Sequence, residues 1–205
     1  MGKMDEIILV VPREKLFASE TLHFHGVEQE KQKVEVLAAN IAAHYSTMRR
    51  GDAEENAAYK QPIPYCVIRR GSDIYMYRRL GGGGEARLFD KLSIGAGGHM
   101  NDNPALPTFE AVLQDNLSRE LEEELEIKSS SRTFTTVGFI NDDENEVGKV
   151  HIGLLVILDI AADGEVNVRE TDQLEGQWVT LEQLREETIY SKLESWSQIV
   201  TNVLG

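Results

Sequence analysis

Arg119-Glu120-Leu121-Glu122-Glu123-Glu124-Leu125 is the stretch on which the reading of this chain turns. At about 100° per residue on a helix, Glu120, Glu123 and Glu124 fall within an arc of about 100°, and Glu122 points away from it. Three carboxylates held that close repel one another and resist full ionisation unless a cation sits between them. An all-oxygen donor set on a rigid helix suits Mg²⁺ or Mn²⁺, which keep waters and accept phosphate oxygens. A glutamate run is more often a solvated helix face, so the stretch alone decides little. Its surroundings add to it. Upstream stands a glycine turn, Gly95-Ala96-Gly97-Gly98-His99, and a helix start at Pro107-Thr108 lies between the two. Leu113, Leu117, Leu121 and Leu125 form an i, i+4 apolar row, so the spacing predicts a helix from Thr108 to about Ile127 that packs on a sheet.

At these residues the chain resembles the Nudix hydrolase family, whose box reads G-x5-E-x7-R-E-U-x-E-E-x-G-U, with U aliphatic. Arg119, Glu120, Leu121, Glu123, Glu124 and Ile127 stand at the matching relative positions. Three positions depart. Glu126 replaces the final glycine, Ala111 stands where the first glutamate belongs, with Glu110 one position off, and Gly97-Gly98 lies too far upstream. An insertion at roughly 100–107 accounts for the last two together. The resemblance covers about Pro62 to the C-terminus. It implies an α+β fold, a Nudix-like α/β/α sandwich with a mixed sheet, carrying an N-terminal strand-helix extension. On that basis residues 61–205 are the hydrolase domain and residues 1–60 an extension packing on it. Gln61-Pro62-Ile63-Pro64-Tyr65 and Ile94 to Asn101 also resemble a subgroup of bacterial Nudix-like proteins known only as predicted phosphoesterases.

The implied chemistry is metal-dependent hydrolysis of a phosphoanhydride bond in a nucleoside diphosphate derivative or related organic pyrophosphate. Mg²⁺ or Mn²⁺ would be held by Glu120, Glu123, Glu124 and a glycine carbonyl, Gly97 or Gly98. Arg119 would orient the carboxylates by a salt bridge. Glu123 or Glu124 would serve as general base, with the loop acids Asp142, Asp143, Glu144 and Glu146 as alternatives. A rival reading is a Nudix-fold module that binds a nucleotide-like ligand or a protein partner without turnover, because a fold does not fix a function.

Composition bounds the partners. The chain has 205 residues and a formal net charge of −14. Such acidity disfavours binding to nucleic acid or to anionic membranes, whose phosphates it repels. The expected partner is a small phosphorylated substrate. Cys66 is the single cysteine, which excludes an intrachain disulfide and a multi-cysteine zinc site and suits a buried, inert thiol. No apolar run reaches transmembrane length and Asp5 and Glu6 do not suit a secretory signal, so a cytoplasmic location is expected.

Outside the box, Ile7 to Val11 reads as a strand ended by Pro12, and Arg13 to Thr21 as a polar loop. Glu28 to Arg50 reads as one helix with Val34, Leu37, Ile41, Tyr45 and Met48 on one side, packing on the main sheet or across a homodimer. Tyr65 to Arg69 and Ile74 to Arg79 form a hairpin around Gly71-Ser72-Asp73. Arg69, Arg70, Arg78 and Arg79 flank it and either bind phosphates or pair with surplus acids. Gly81 to Gly84 reads as a flexible link and Leu92 to Gly98 as a strand. Strands follow at 133–140 and 150–160, with an acidic loop between. Thr180, with Gln183 three residues on, reads as a capping box. Ser191 to Val203 reads as a closing helix. His23 and His25 sit two apart on one side of an extended segment, more in keeping with surface residues than with metal ligands. His99 either touches a phosphate or caps the turn. Tyr59, Tyr65, Tyr75, Tyr77 and Phe89 are core or base-stacking residues.

Overall fold

Ile7–Pro12 (β1) alternates its side chains between two apolar clusters. Leu9 and Val11 join Leu37, Ile41, Phe109 and Ile152, while Ile8 and Val10 meet Ala53, Met48 and Tyr59. A strand buried on both faces reads as an unbroken apolar run, which is what this segment is. In this computed structural model, which describes residues 2–80, 90–169, 171 and 174–205, the chain divides into two compact units. Gly81 to Gly84 and Phe89 lie outside the described residues.

The first unit comprises residues 1–64, 98–118 and 137–155. After β1 come α1 (Arg13–Leu16), β2 (Gly26–Glu28), α2 (Lys31–His44), β3 (Ser46–Arg49), α3 (Arg50–Glu54) and the start of β4 (Tyr59–Arg70). The division expected at residue 60 therefore falls inside a strand, and residues 1–64 share their unit with two later segments. The helix expected over Glu28 to Arg50 is shorter. It stops at His44 because Ser46–Arg49 pairs antiparallel with β1, Ile7 opposite Arg49 and Val10 opposite Ser46. Strand pairing overrides the helical spacing that Met48 completed. The stripe on α2 is spent internally, with Leu37 and Ile41 fully buried and Val34 and Tyr45 packed beside them. The segment expected as a polar loop after Pro12 contains α1, whose Leu16 is buried.

The second unit comprises residues 65–97, 119–136 and 156–205. It holds the rest of β4, then β5 (Asp73–Arg79), β6 (Leu92–Ser93) and β7 (Gly95–Ala96). The helix α4 (Phe109–Glu124) contributes Arg119–Glu124 to it. Next come β8 (Leu125–Lys128), β9 (Arg132–Asn141), α5 (Glu146–Val150) and β10 (His151–Ile160). Of these, α5 belongs to the first unit, and β9 and β10 contribute to both. The chain closes with β11 (Glu165–Val168), β12 (Leu174–Thr180), α6 (Leu181–Leu184), α7 (Glu187–Tyr190) and α8 (Ser195–Thr201). β5 pairs with β12 along its whole length and with β4 at the hairpin, where Gly71 adopts φ 61°. Tyr65, Tyr75 and Tyr77 are buried here and so belong to the core. The Tyr77 hydroxyl donates to the Gly95 carbonyl at 2.6 Å. Burial also pushes the Cys66 thiol up to about 12, which keeps it protonated and inert.

The carboxylate helix ends three residues earlier than its periodicity predicts. Leu125–Lys128 is a strand paired with Glu165–Val168. Glu126, the residue in place of the box glycine, is therefore a strand residue opposite Asn167. The orphan carbonyls of the helix end find other donors. The Arg169 backbone amide donates to Glu124 O at 2.8 Å and its Nε donates to Leu125 O at 3.1 Å. A cationic side chain at that end also suits the helix dipole.

The Thr180 capping box is present. Gln183 N donates to Thr180 Oγ1 at 3.2 Å, and Thr180 N donates to Gln183 Oε1 at 2.8 Å. Thr180→Ala removes one of these bonds, and thermal melts are expected to show a loss of about 1 kcal/mol. Among the described residues, no helix is long and apolar enough to cross a membrane. Helices and sheet together give the α+β class expected from the sequence.

Candidate active site

Helix α4 alternates carboxylates and packing leucines at its C-terminal end. Leu117 and Leu121 are buried, which fixes the rotation of the helix. Glu120 and Glu124 then come one turn apart and half-buried, while Glu122 is exposed. Arg119 Nη1 lies 2.7 Å from Glu120 Oε1 and 3.5 Å from Glu123 Oε1, so one guanidinium spans two carboxylates. The Glu120 side chain is 12% exposed and that of Glu123 is 61% exposed. Glu124 influences two neighbours, the buried Tyr77 and the half-buried Arg79. Burial, reinforced by the Glu124 charge, pushes the Tyr77 hydroxyl well above its ordinary value. Burial works against the Arg79 cation, but Tyr77, Glu194 and Glu124 together hold it above the ordinary arginine value.

Gly98 lies in the first unit and the three glutamates in the second. The turn holding Gly98 is pinned within its own unit by Asn116, which is buried on α4. Asn116 Oδ1 accepts from Asn101 N at 2.8 Å and its Nδ2 donates to Asn101 O at 2.9 Å. Glu120, Glu123 and Glu124 are not among the groups of described residues whose donor atoms all lie within 4.8 Å of one another. Like-charged carboxylates stand apart of themselves. As hard oxygen donors on successive turns of one helix, two of them steered by Arg119, they fit a divalent cation of the Mg²⁺ or Mn²⁺ type.

The hairpin arginines pair with acids. Arg69 Nε donates to Asp159 at 2.6 Å, and Arg79 Nε to Glu194 at 2.8 Å. Arg70 lies 4.1 Å above the Trp178 ring and 3.7 Å from Asp73. Arg78 is shared between Asp90 and Glu175.

The acidic loop is bound up in structure. Asp143 meets Arg13 Nη2 at 2.8 Å, His23 Nε2 at 2.8 Å and Lys60 Nζ at 2.6 Å. Asp142 accepts from Asn145 Nδ2 at 2.6 Å and from Glu144 N at 3.2 Å. Glu146 pairs with Lys149. His25 reaches Glu144 at 3.9 Å, so His23 and His25 take separate acidic partners.

The sequence reading missed two features, both in the first unit. Lys60 is fully buried and spends its ammonium on Asp143 and the Gly148 carbonyl. His99 is neither a simple turn cap nor a lone ligand. Its Nε2 lies 2.8 Å from Gln61 Oε1, 3.2 Å from His151 Nε2 and 3.5 Å from Glu54 Oε1. The hydrogen bond from His99, with both histidine charges adding to it, holds the Glu54 carboxyl down at about 2. Burial lowers His151 to about 4, so its imidazole is neutral at neutral pH. His99 and His151 each carried a weak signal, one beside the glycine turn and one at a strand start. Their distance in sequence from Glu54 hid the grouping.

No protein-family model matches the chain. Over 205 residues it is 50% identical to Protein YmaB of Bacillus subtilis (strain 168), covering 100% of each chain. The solved structure of Tm1382, described as a candidate Nudix hydrolase, is similar with a TM-score of 0.77 and 29% identity, covering 97% of each chain. A MutT Nudix hydrolase from Burkholderia pseudomallei is a more distant likeness, at 21% identity and a TM-score of 0.47, covering 71% of this chain and 98% of that one.

Proposed function

Because this chain belongs to the Nudix hydrolase family, we propose that it cleaves a phosphoanhydride bond in a nucleoside diphosphate derivative or related organic pyrophosphate, using Mg²⁺ or Mn²⁺. The observation that carries the reading is the Arg119 bridge to Glu120 and Glu123 on the helix that also carries Glu124. Glu120, Glu123 and Glu124 would hold the cation. A divalent cation there neutralises the diphosphate charge and lowers the pKa of a bound water.

The chain's own residues supply orientation and proton transfer. Arg119 fixes the rotamers of Glu120 and Glu123, so the carboxylates are in place before substrate arrives. Glu124 or Glu123 takes the proton of the attacking water, and Glu124, the more enclosed of the two, is the residue we assign. Asp142 and Asp143 are set aside as bases because their oxygens are already engaged, those of Asp142 by Asn145 and the Glu144 amide and those of Asp143 by Arg13, His23 and Lys60. The charge of −14 suits a substrate whose phosphates arrive with a cation rather than as bare anions.

Product analysis over a panel of nucleoside diphosphates linked to a sugar, a second nucleoside or further phosphate tests the reading. Two phosphorylated fragments are expected with Mg²⁺ or Mn²⁺ and none in chelator. Turnover of the same compounds in chelator would contradict it. Arg119→Ala is expected to lower kcat about 10- to 100-fold, because the carboxylates lose their orientation. Arg119→Lys is expected to recover only part of this, since a lysine point charge does not span two carboxylates as a guanidinium does.

A further inference from the structure

We propose that Glu54, His99 and His151 form a binding site for a divalent transition-metal ion of the Zn²⁺ class, with Gln61 beside them. The proposal does not rest on the hydrolase reading and shares no residue with the three glutamates of α4. All four residues belong to the first unit. Glu54 is the last residue of α3, Gln61 lies in β4, His99 follows Gly98, and His151 opens β10.

Geometry is the first argument. His99 Nε2, His151 Nε2 and Glu54 Oε1 form a triangle with edges of 3.2, 3.5 and 3.8 Å. Donors bound to one tetrahedral zinc at about 2.0–2.1 Å stand about 3.3–3.4 Å apart. The triangle therefore needs only tenths of an ångström of adjustment to close on one ion. The second argument is the outer shell. His151 Nδ1 lies 2.7 Å from the Val147 carbonyl, so it carries the proton and turns the Nε2 lone pair towards the triangle. This is the support that metal-bound histidines receive. The third is Gln61. It is 1% exposed, its Oε1 lies 2.8 Å from His99 Nε2, and its Nε2 has no hydrogen-bond partner among the described residues. Metal binding releases the proton that His99 Nε2 shares with Gln61 Oε1, which leaves that buried amide oxygen as a further neutral donor at the edge of the triangle.

Two imidazoles and one carboxylate favour Zn²⁺ and its neighbours over Mg²⁺, which prefers an all-oxygen shell. The other tight group, His25, Asp142 and Glu144, carries no such case. His25 and Glu144 are exposed, and Asp142 already accepts two bonds from its own loop. A bound ion would join the end of α3, the turn after Gly98 and the start of β10. Zinc binding should then raise the melting temperature by mass action.

The test is titration of the metal-stripped full chain with Zn²⁺ by calorimetry, and with Co²⁺ read by its visible absorption. With excess Mg²⁺ present to fill the α4 carboxylates, one further ion per chain is expected, with the melting temperature raised and the cobalt bands unchanged by the Mg²⁺. His99→Asn and Glu54→Gln are each expected to weaken zinc binding more than about 100-fold, beyond the loss from an outer-shell partner alone. Glu54 lies at the rim, so its variant keeps the test valid if a histidine variant folds poorly. Glu124→Gln is expected to bind zinc as the unmodified chain does. The proposal is overturned if no stoichiometric ion binds, if binding survives both His99→Asn and Glu54→Gln, or if Glu124→Gln abolishes it.

Discussion

Glu124→Gln is expected to lower metal-dependent turnover by about 10²–10⁴-fold, the range for loss of a positioned general base. Glutamine keeps the shape and removes both the charge and the proton-accepting oxygen. The helix should not suffer, because its rotation is set by Leu117 and Leu121 and its end is capped by Arg169. Glu122→Gln is the control. Glu122 is exposed on the other side of α4 and should leave kcat unchanged. Steady-state kinetics on the three proteins, with circular dichroism to confirm folding, check the expectation. Equal losses at Glu122 and Glu124 would mean that general acidity of the helix matters, not the arrangement of its carboxylates.

Asp143→Ala is expected to cost about 3–5 kcal/mol, the range for leaving a buried charge without its partner. Lys60 is fully buried and its ammonium has two acceptors, Asp143 Oδ1 at 2.6 Å and Gly148 O at 2.7 Å. Removing the carboxylate leaves the cation one neutral carbonyl. Arg13 and His23 lose the same partner but reach more solvent. Lys60→Met combined with Asp143→Ala is expected to recover part of the loss, because no uncompensated buried charge remains. Chemical denaturation measures all three.

The same residue sets a pH dependence. Burial works against the Asp143 charge, but Arg13, Lys60 and His23 hold its carboxyl well below the usual carboxylate range. Burial pulls Lys60 down from the ordinary lysine value, and the carboxylate beside it opposes that pull. A carboxyl depressed in the folded state binds its proton more readily when unfolded, at about 3.9. Its stabilisation is therefore complete above that value and is lost as pH falls below it towards the folded-state value. Asp143→Asn should flatten the acid limb of the stability curve.

What was legible in the sequence was mostly local. The i, i+4 leucines placed α4, and the Thr180–Gln183 box placed a helix start within one turn. The unbroken apolar run of β1 was equally plain. Where the reading failed, a distant partner had decided the local form. Leu125–Lys128 and Ser46–Arg49 continue helical patterns, yet each becomes a strand because a remote segment offers a ladder, β11 in one case and β1 in the other. The grouping of Glu54, His99 and His151 was hidden for the same reason. Each lies in a different segment, and their spacing follows no motif. Family identity came from the Arg119 to Glu124 spacing together with the upstream glycines, and survived the replacements at Ala111 and Glu126. Glu126 is accommodated because the chain leaves the helix for a strand, where a left-handed residue is not needed.

Catalysis by the α4 carboxylates is tested by turnover of the best compound in the panel by the unmodified chain and by a Glu123→Gln, Glu124→Gln double variant, across a Mg²⁺ or Mn²⁺ titration. Turnover that rises with metal in the unmodified chain and is lost at every metal concentration in the folded double variant is the predicted result. Turnover that persists in the double variant, or that ignores the metal, would contradict the assignment of catalysis to the α4 carboxylates.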